Sequence, residues 1–127
     1  MALNITSFGP TFGYSSFDNK YVSIAWTDDQ PLYQDNGDGT YTYATTFYLW
    51  SASTSGTRLA TLHDFSTVLS SAPSTLTLSR ILRFSFPFLS AFTTYWVGGF
   101  SGGTRRSFSS DQDSTTISLT FFINGGT

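Results

Sequence analysis

The sequence predicts an all-β fold, an antiparallel β-sandwich of about eight strands with immunoglobulin-like character. Three observations carry this. Every one of the 8 acidic residues is Asp and Lys20 is the sole lysine, so the long straight-chain residues that dress exposed helix faces are nearly missing. Phe occurs 13 times beside 7 Tyr and 3 Trp, and Ser with Thr make roughly a third of the chain, a mixture suited to pleated, half-buried surfaces. Segment after segment alternates apolar and polar residues with period two. A small barrel or a jelly roll is the competing all-β geometry.

The elements follow in order. Leu3 to Ser7 is a short first candidate with Leu3 and Ile5 on one face, followed by Gly9, Pro10 and Gly13. Phe8, Phe12, Tyr14 and Phe17 then come without a sustained period, so residues 1–17 read either as an N-terminal arm or as a first strand, with residues 18–127 forming a single sandwich domain. Tyr21 to Trp26 alternates Val22, Ile24 and Trp26 against Tyr21, Ser23 and Ala25. Thr40 to Ser51 puts Tyr41, Tyr43, Thr45, Phe47 and Leu49 on one face, while Tyr48 and Trp50 load the other. Thr57 to Leu62 is a fourth strand. After it, Asp64 is placed to cap one helical turn carrying Phe65, Val68 and Leu69. In Thr75 to Phe86, Arg80 interrupts an apolar row and predicts a bulge or an edge. Thr94 to Phe100 and Thr104 to Phe108 are joined by "SGG", a hairpin turn. Thr115 to Ile123 closes the series with Ile117, Leu119, Phe121 and Ile123 in phase.

Size and charge narrow the function classes. A chain of 127 residues buries roughly two thirds of its unfolded surface and needs no staple to fold. With no cysteine, disulfides and thiolate metal sites are excluded. The net charge is −2 with basic residues dispersed, which leaves no electrostatic footprint for nucleic acid or an anionic membrane. The start "MALNITSFGP" lacks the basic and apolar regions of a signal peptide. The expectation is synthesis in a cytoplasm and use at full length, in a virion or outside the cell.

Residues 34–42, "QDNGDGTYT", pose the sharpest motif question. A helix-loop-helix calcium loop needs oxygen donors at alternate positions and a distant Glu, yet Gly37 and Gly39 stand two and four residues after Asp35 and the chain has no Glu. Turn chemistry alone accounts for "NG" and "DG" before an alternating strand. No metal and no cofactor is expected. Asp35, Asn36, Asp38, Gly39, Thr40 and Tyr41 also resemble the signature that precedes a strand in filamin-type and other immunoglobulin-like repeats. That resemblance implies an immunoglobulin-like sandwich and no activity of its own. Tyr43 departs from it, since an aliphatic residue is usual there.

Catalytic constellations are thin. His63, beside Asp64, is the only histidine, and no Gly-x-Ser-x-Gly elbow accompanies it, so local hydrogen bonding is the expected role. The pairs Asp28/Asp29 and Asp111/Asp113 resemble the paired carboxylates of glycoside hydrolysis but sit between strands, where solvated turns explain them. Tyr95 and Trp96 near Arg105 and Arg106 are candidates for a sugar- or peptide-binding patch; adjacent strand residues face opposite ways, so one ring of the pair belongs to the core. With no catalytic set and more rings than a small core needs, the expectation is a non-catalytic structural or assembly protein. In general character it is similar to accessory proteins of virus and bacteriophage particles, such as capsid decoration or tail components. The partners would be protein, itself and its neighbours in an assembly. A carbohydrate- or receptor-binding module is the alternative, and a small hydrolase the least supported class.

Overall fold

Nine strands follow one another in a computed structural model that describes residues 2–10, 20–84, 89–90, 92–100, 102–110 and 119–121. They are β1 (Leu3–Pro10), β2 (Lys20–Asp28), β3 (Tyr33–Asp35), β4 (Tyr41–Trp50), β5 (Arg58–Leu69), β6 (Leu76–Phe84), β7 (Thr93–Gly98), β8 (Arg106–Ser110) and β9 (Leu119–Phe121). β1, β2 and β6 form a three-stranded antiparallel sheet in that order. The other six strands form a second antiparallel sheet, in which β4 pairs with β5, β3 and β7, and β8 and β9 continue beyond β7. The sheets stay open and do not close into a barrel, and no helix occurs among the described residues.

Period-two alternation decides what each sheet buries. β2 turns Val22, Ile24 and Trp26 inward, and β4 turns Tyr43, Phe47 and Leu49 inward, all fully buried. The two inner faces meet ring to ring. The Trp26 indole contacts Phe47 and Phe65 of the second sheet, each at 5.1 Å and 83°. Phe84 meets Phe47 at 6.1 Å, and Phe8 meets Phe108 at 6.2 Å. Each such side chain contributes about 1.5–3 kcal/mol by leaving water, with edge-to-face geometry adding about 0.5–1.5 kcal/mol per pair.

The N-terminal residues belong to this core. Leu3, Ile5 and Phe8 are all buried, and β1 pairs with β2 from Leu3↔Asp28 to Pro10↔Val22. Leu3 to Pro10 is therefore strand; residues 11–19, with Phe12, Tyr14 and Phe17, lie outside the described residues. The period was lost after Ser7 because Thr6 is an extra residue in the ladder, where Ile5↔Trp26 is followed by Ser7↔Ala25. That bulge moves the inward phase from odd to even residues, so Phe8 continues the row of Leu3 and Ile5. The edge so kinked is tied to the other sheet. Ile5 N–H donates to the Thr104 carbonyl at 2.9 Å, and the Arg106 guanidinium donates to the Ile5 and Thr6 carbonyls at 2.7 and 2.8 Å. Gly103 makes the approach possible: its φ is 80°, and a Cβ there would collide with the Leu3 backbone.

The expected helical turn at Asp64 to Leu69 is strand. β5 runs unbroken from Arg58 to Leu69, and Phe47↔His63 followed by Tyr48↔Thr61 makes Leu62 an extra residue; Leu59 is a further one. From His63 to Leu69 the ladder is regular, with Phe65 and Leu69 toward the core, and it is the outward-facing apolar Val68 that gives Phe65, Val68 and Leu69 an apparent helical spacing. In the strand Phe65 is buried while Val68 points out, 61% exposed. Arg80 carries no bulge, because β2 and β6 pair without a register shift. It stands on the sheet edge that the apolar interruption also suggested, its guanidinium 5.8 Å from the Phe65 ring. Of the predicted last strand, Leu119–Phe121 is present as β9, and the remainder lies outside the described residues.

Candidate functional site

The acidic stretch that drew attention in the sequence is the β3–β4 turn. Asp35 Oδ1 accepts Gly37 N–H at 2.8 Å, Asp38 Oδ1 accepts Thr40 N–H at 3.0 Å, and Asn36 N–H donates to the Thr40 carbonyl at 3.1 Å. The Thr40 hydroxyl, with its amide, holds the Asp38 carboxyl below its ordinary value. Gly37 and Gly39 have φ of 78° and 88° with open space around them, so backbone conformation is the reason for glycine. The short β3 that this turn creates, only three residues long, was not anticipated.

Asp28 corrects the sequence reading. Instead of lying in a solvated turn it is completely buried at the end of β2. Its Oδ2 accepts the Tyr43 hydroxyl at 2.9 Å, and Oδ1 accepts Gln30 N–H at 3.0 Å. Tyr43 Oη in turn accepts Trp26 Nε1–H at 3.1 Å. Burial, with the adjoining Asp28 carboxylate, raises the Tyr43 phenol far above its ordinary value, against the Trp26 donor, which lowers it. Asp29 stays exposed beside the Asn4 amide, so the two carboxylates share no site. The sequence held the signal: Asp28 continues the inward row of Val22, Ile24 and Trp26.

The residues that face solvent together lie on the outer side of the second sheet. Even-numbered positions of β4 point there, and Tyr48 contacts Trp50 at 6.3 Å and Phe100 at 6.1 Å. Arg58, brought opposite Trp50 by the β4–β5 pairing, sets its guanidinium 4.8 Å from the Tyr48 ring and 5.4 Å from that of Phe100. Phe100 is 63% exposed. Beside it a cavity of about 220 Å³ is lined by Ala44, Thr45, Thr46, Tyr48 and Phe100. The Thr46 hydroxyl donates to Asp64 Oδ1 at 2.8 Å on its far flank. Such a surface offers flat apolar rings, hydroxyls and a forked cation within one small area.

The other predicted candidates divide. Tyr95 is the core member of its pair, stacked on Phe108 at 5.8 Å with its hydroxyl accepting Ser90 N–H at 2.7 Å, while Trp96 faces outward opposite Trp50. Arg105 joins the outer face, its guanidinium 3.9 Å from the Trp50 ring, and donates to the Ala52 and Ser55 carbonyls at 2.6 and 2.8 Å. Arg106 does not join it, being turned toward β1. His63 and Asp64 point to opposite faces of β5: the imidazole meets Phe84 at 5.8 Å, and Asp64 reaches Thr46. Asp111 and Asp113 lie outside the described residues. Tyr48, Arg58 and Phe100 were not singled out as a group in the sequence, because nothing local connects positions on β4, on β5 and after β7.

Compared with protein-family models, with curated proteins and with solved structures, the chain matches none. The functional reading therefore stands on the surface just described. Among the described residues no group of three or more His, Cys, Asp or Glu is placed to hold a metal ion, and no helix is long and apolar enough to cross a membrane.

Proposed function

We propose that this protein is a non-catalytic structural or assembly component built on an immunoglobulin-like sandwich, an accessory protein of a virus or bacteriophage particle such as a capsid decoration or tail protein. One observation carries the reading. With a core already filled by aromatic side chains, Leu32, Phe100, Val68, Ile81 and Phe92 remain 55–80% exposed. Contiguous apolar surface left in water marks a partner interface, and among these residues Phe100 adjoins the Tyr48 ring, which in turn contacts Trp50, on one outer face. The low charge of the chain favours lasting contact over steering, since few ions need to be stripped of water on association.

Sedimentation velocity over a wide concentration range, followed by electron microscopy of the heaviest species, tests this. Concentration-dependent oligomers or ordered particles are expected. A chain that stays monomeric at hundreds of micromolar and attaches to no larger assembly is incompatible with the proposal. A second reading, a carbohydrate-binding module, is favoured specifically by the Tyr48–Phe100 rings and the Arg58 guanidinium beside the cavity. A glycan array probed with the isolated protein distinguishes it.

A further inference from the structure

The two edges of β4 are unequally occupied. β5 runs along one edge from Tyr41 to Trp50, whereas the other is shared by β3, opposite Tyr41 to Tyr43, and β7, opposite Tyr48 to Trp50. Between these two strands, Ala44 and Thr46 have no strand partner on that edge among the described residues. The phase of the ladder tells which backbone groups face the opening. Asn36 N–H donates to the Thr40 carbonyl, so this is a hydrogen-bonded pair, and such pairs recur at every second residue of an antiparallel ladder. Even-numbered residues of β4 thus direct their N–H and C=O toward β3 and β7. Thr42 meets Gln34, and Tyr48 meets Gly98. Ala44 and Thr46 are left facing the opening, and no other backbone hydrogen bond among the described residues reaches them.

Two further features converge on the same place. The cavity of about 220 Å³ lined by Ala44, Thr46, Tyr48 and Phe100 lies over this part of β4. At its aromatic end the Arg58 guanidinium is positioned by two rings, and no acceptor engages its N–H groups among the described residues. Arg105 and Arg106, by contrast, each donate to two backbone carbonyls.

We infer that this opening in β4 is a docking site for an extended, carboxylate-bearing peptide segment of a partner protein, which adds a short strand between β3 and β7. The inference rests on the assembly reading above, in that the partner is a protein. Main-chain donors and acceptors repeating every two residues, about 7 Å apart, match the period of another extended chain. Sugar hydroxyls have no such period. The rings of Tyr48 and Phe100 receive an apolar side chain of the segment, and Arg58 takes its carboxylate in a forked, charge-assisted pair. The outer edge of β5 is a poorer template despite its length, because the extra residues Leu59 and Leu62 break its ladder and Asp64 projects beside it.

The experiment titrates the full chain with a hexapeptide library, acetyl-Thr-Xaa-Thr-Xaa-Thr-Asp with a free C-terminal carboxylate, and follows amide hydrogen exchange residue by residue. The Ala44 and Thr46 amides should exchange freely in the isolated protein and become protected with the best peptides. N-methylation of alternate peptide amides should abolish binding in one parity and leave it in the other. Replacing the peptide's terminal Asp by Asn and amidating its C-terminus should weaken binding about tenfold, and the Arg58→Gln variant, with an unchanged melting temperature, should erase that difference. Absence of protection at millimolar peptide overturns the inference. So does protection by oligoglucuronate where peptides give none, which assigns the site to saccharide. Protection already present without peptide and lost on dilution assigns it to a second copy and overturns it equally. Sedimentation of the peptide-free protein keeps the two levels apart: self-association without peptide protection removes this inference and leaves the assembly reading standing.

Discussion

β4 presents aromatic residues on both faces, and the two faces treat their polar atoms differently. Inward, the Tyr43 hydroxyl accepts from Trp26 and donates to Asp28, so three polar side chains from two strands engage one another in the interior. Outward, Tyr48, Phe100 and Arg58 gather by ring contacts alone, with the guanidinium donors turned to solvent. The residue types are similar; what separates the faces is whether hydrogen-bonding capacity is engaged within the fold or left for something else. A buried group without a partner costs about 1–3 kcal/mol, more if charged, whereas an exposed one costs almost nothing until a ligand arrives. Substitutions on the two faces should therefore differ in kind.

The largest effects belong to the inner face. Trp26→Ala removes the indole that bridges Phe47 and Phe65, together with the N–H that Tyr43 accepts, and is expected to cost about 3–5 kcal/mol in chemical denaturation. Tyr43→Phe is the more incisive change, since it keeps the ring and deletes one oxygen. It leaves both the Trp26 donor and the buried Asp28 carboxylate short of a partner, and a loss of about 2 kcal/mol is expected. A loss below about 0.5 kcal/mol would mean that water substitutes freely for the phenol, and the contrast between the faces would fail.

The same network sets a response to alkali. In the unfolded chain a tyrosine ionises near pH 10, whereas folded Tyr43 keeps its proton to higher pH, chiefly through burial. Below that value both states hold the proton and stability is unaffected. Above it the unfolded state has released a proton that the native state retains, so stability falls as pH rises. The melting temperature of the wild type should decline more steeply above pH 10 than that of Tyr43→Phe. Parallel curves would remove Tyr43 as the cause.

Much of this fold could be read from alternation alone. Val22, Ile24 and Trp26, and the two loaded faces of β4, stand where period two placed them, because a regular ladder preserves phase. Reading was less sure where phase or polarity breaks the pattern. One extra residue at Thr6 ended the visible period of β1 at Ser7 and left an arm open beside a first strand, and an exposed apolar residue, Val68, gave the regular end of β5 the spacing of a helix. The binding face was less legible for a different reason. Phe100 and Arg58 meet only because β7 and β5 flank the same strand, and pairing of that kind is written in no local pattern. Asp28 was readable in principle, but its charge outweighed its phase in the assignment to a turn.

Arg105 tests the boundary between the faces. It lies on the outer side, yet it covers Trp50 and donates to the carbonyls of the β4–β5 connection. Its role is therefore that of the inner face, and Arg105→Met should cost about 1–2 kcal/mol. Faster amide exchange in residues 51–57 should accompany the loss. A variant as stable as the wild type, with exchange there unchanged, would place Arg105 with the ligand-facing residues instead.

Phe100→Ser should have the smallest effect on stability and so bears most directly on function. The ring is largely in water and its neighbours are the Tyr48 ring and the Arg58 guanidinium, neither of which needs it for a hydrogen bond. Removing it forfeits one edge-on aromatic contact and one exposed cation–π contact, while the serine relieves exposed apolar surface, so the net change should stay within about 0.5 kcal/mol. Association is another matter. If the outer face is where partners bind, the same substitution deletes an aromatic anchor of the kind that commonly contributes about 2 kcal/mol or more to an interface. Equilibrium sedimentation and thermal melting of the one variant give both numbers. A large loss of stability would return Phe100 to the fold, and unchanged association would move the contact surface away from this face toward the exposed Ile81 on the outer side of the three-stranded sheet.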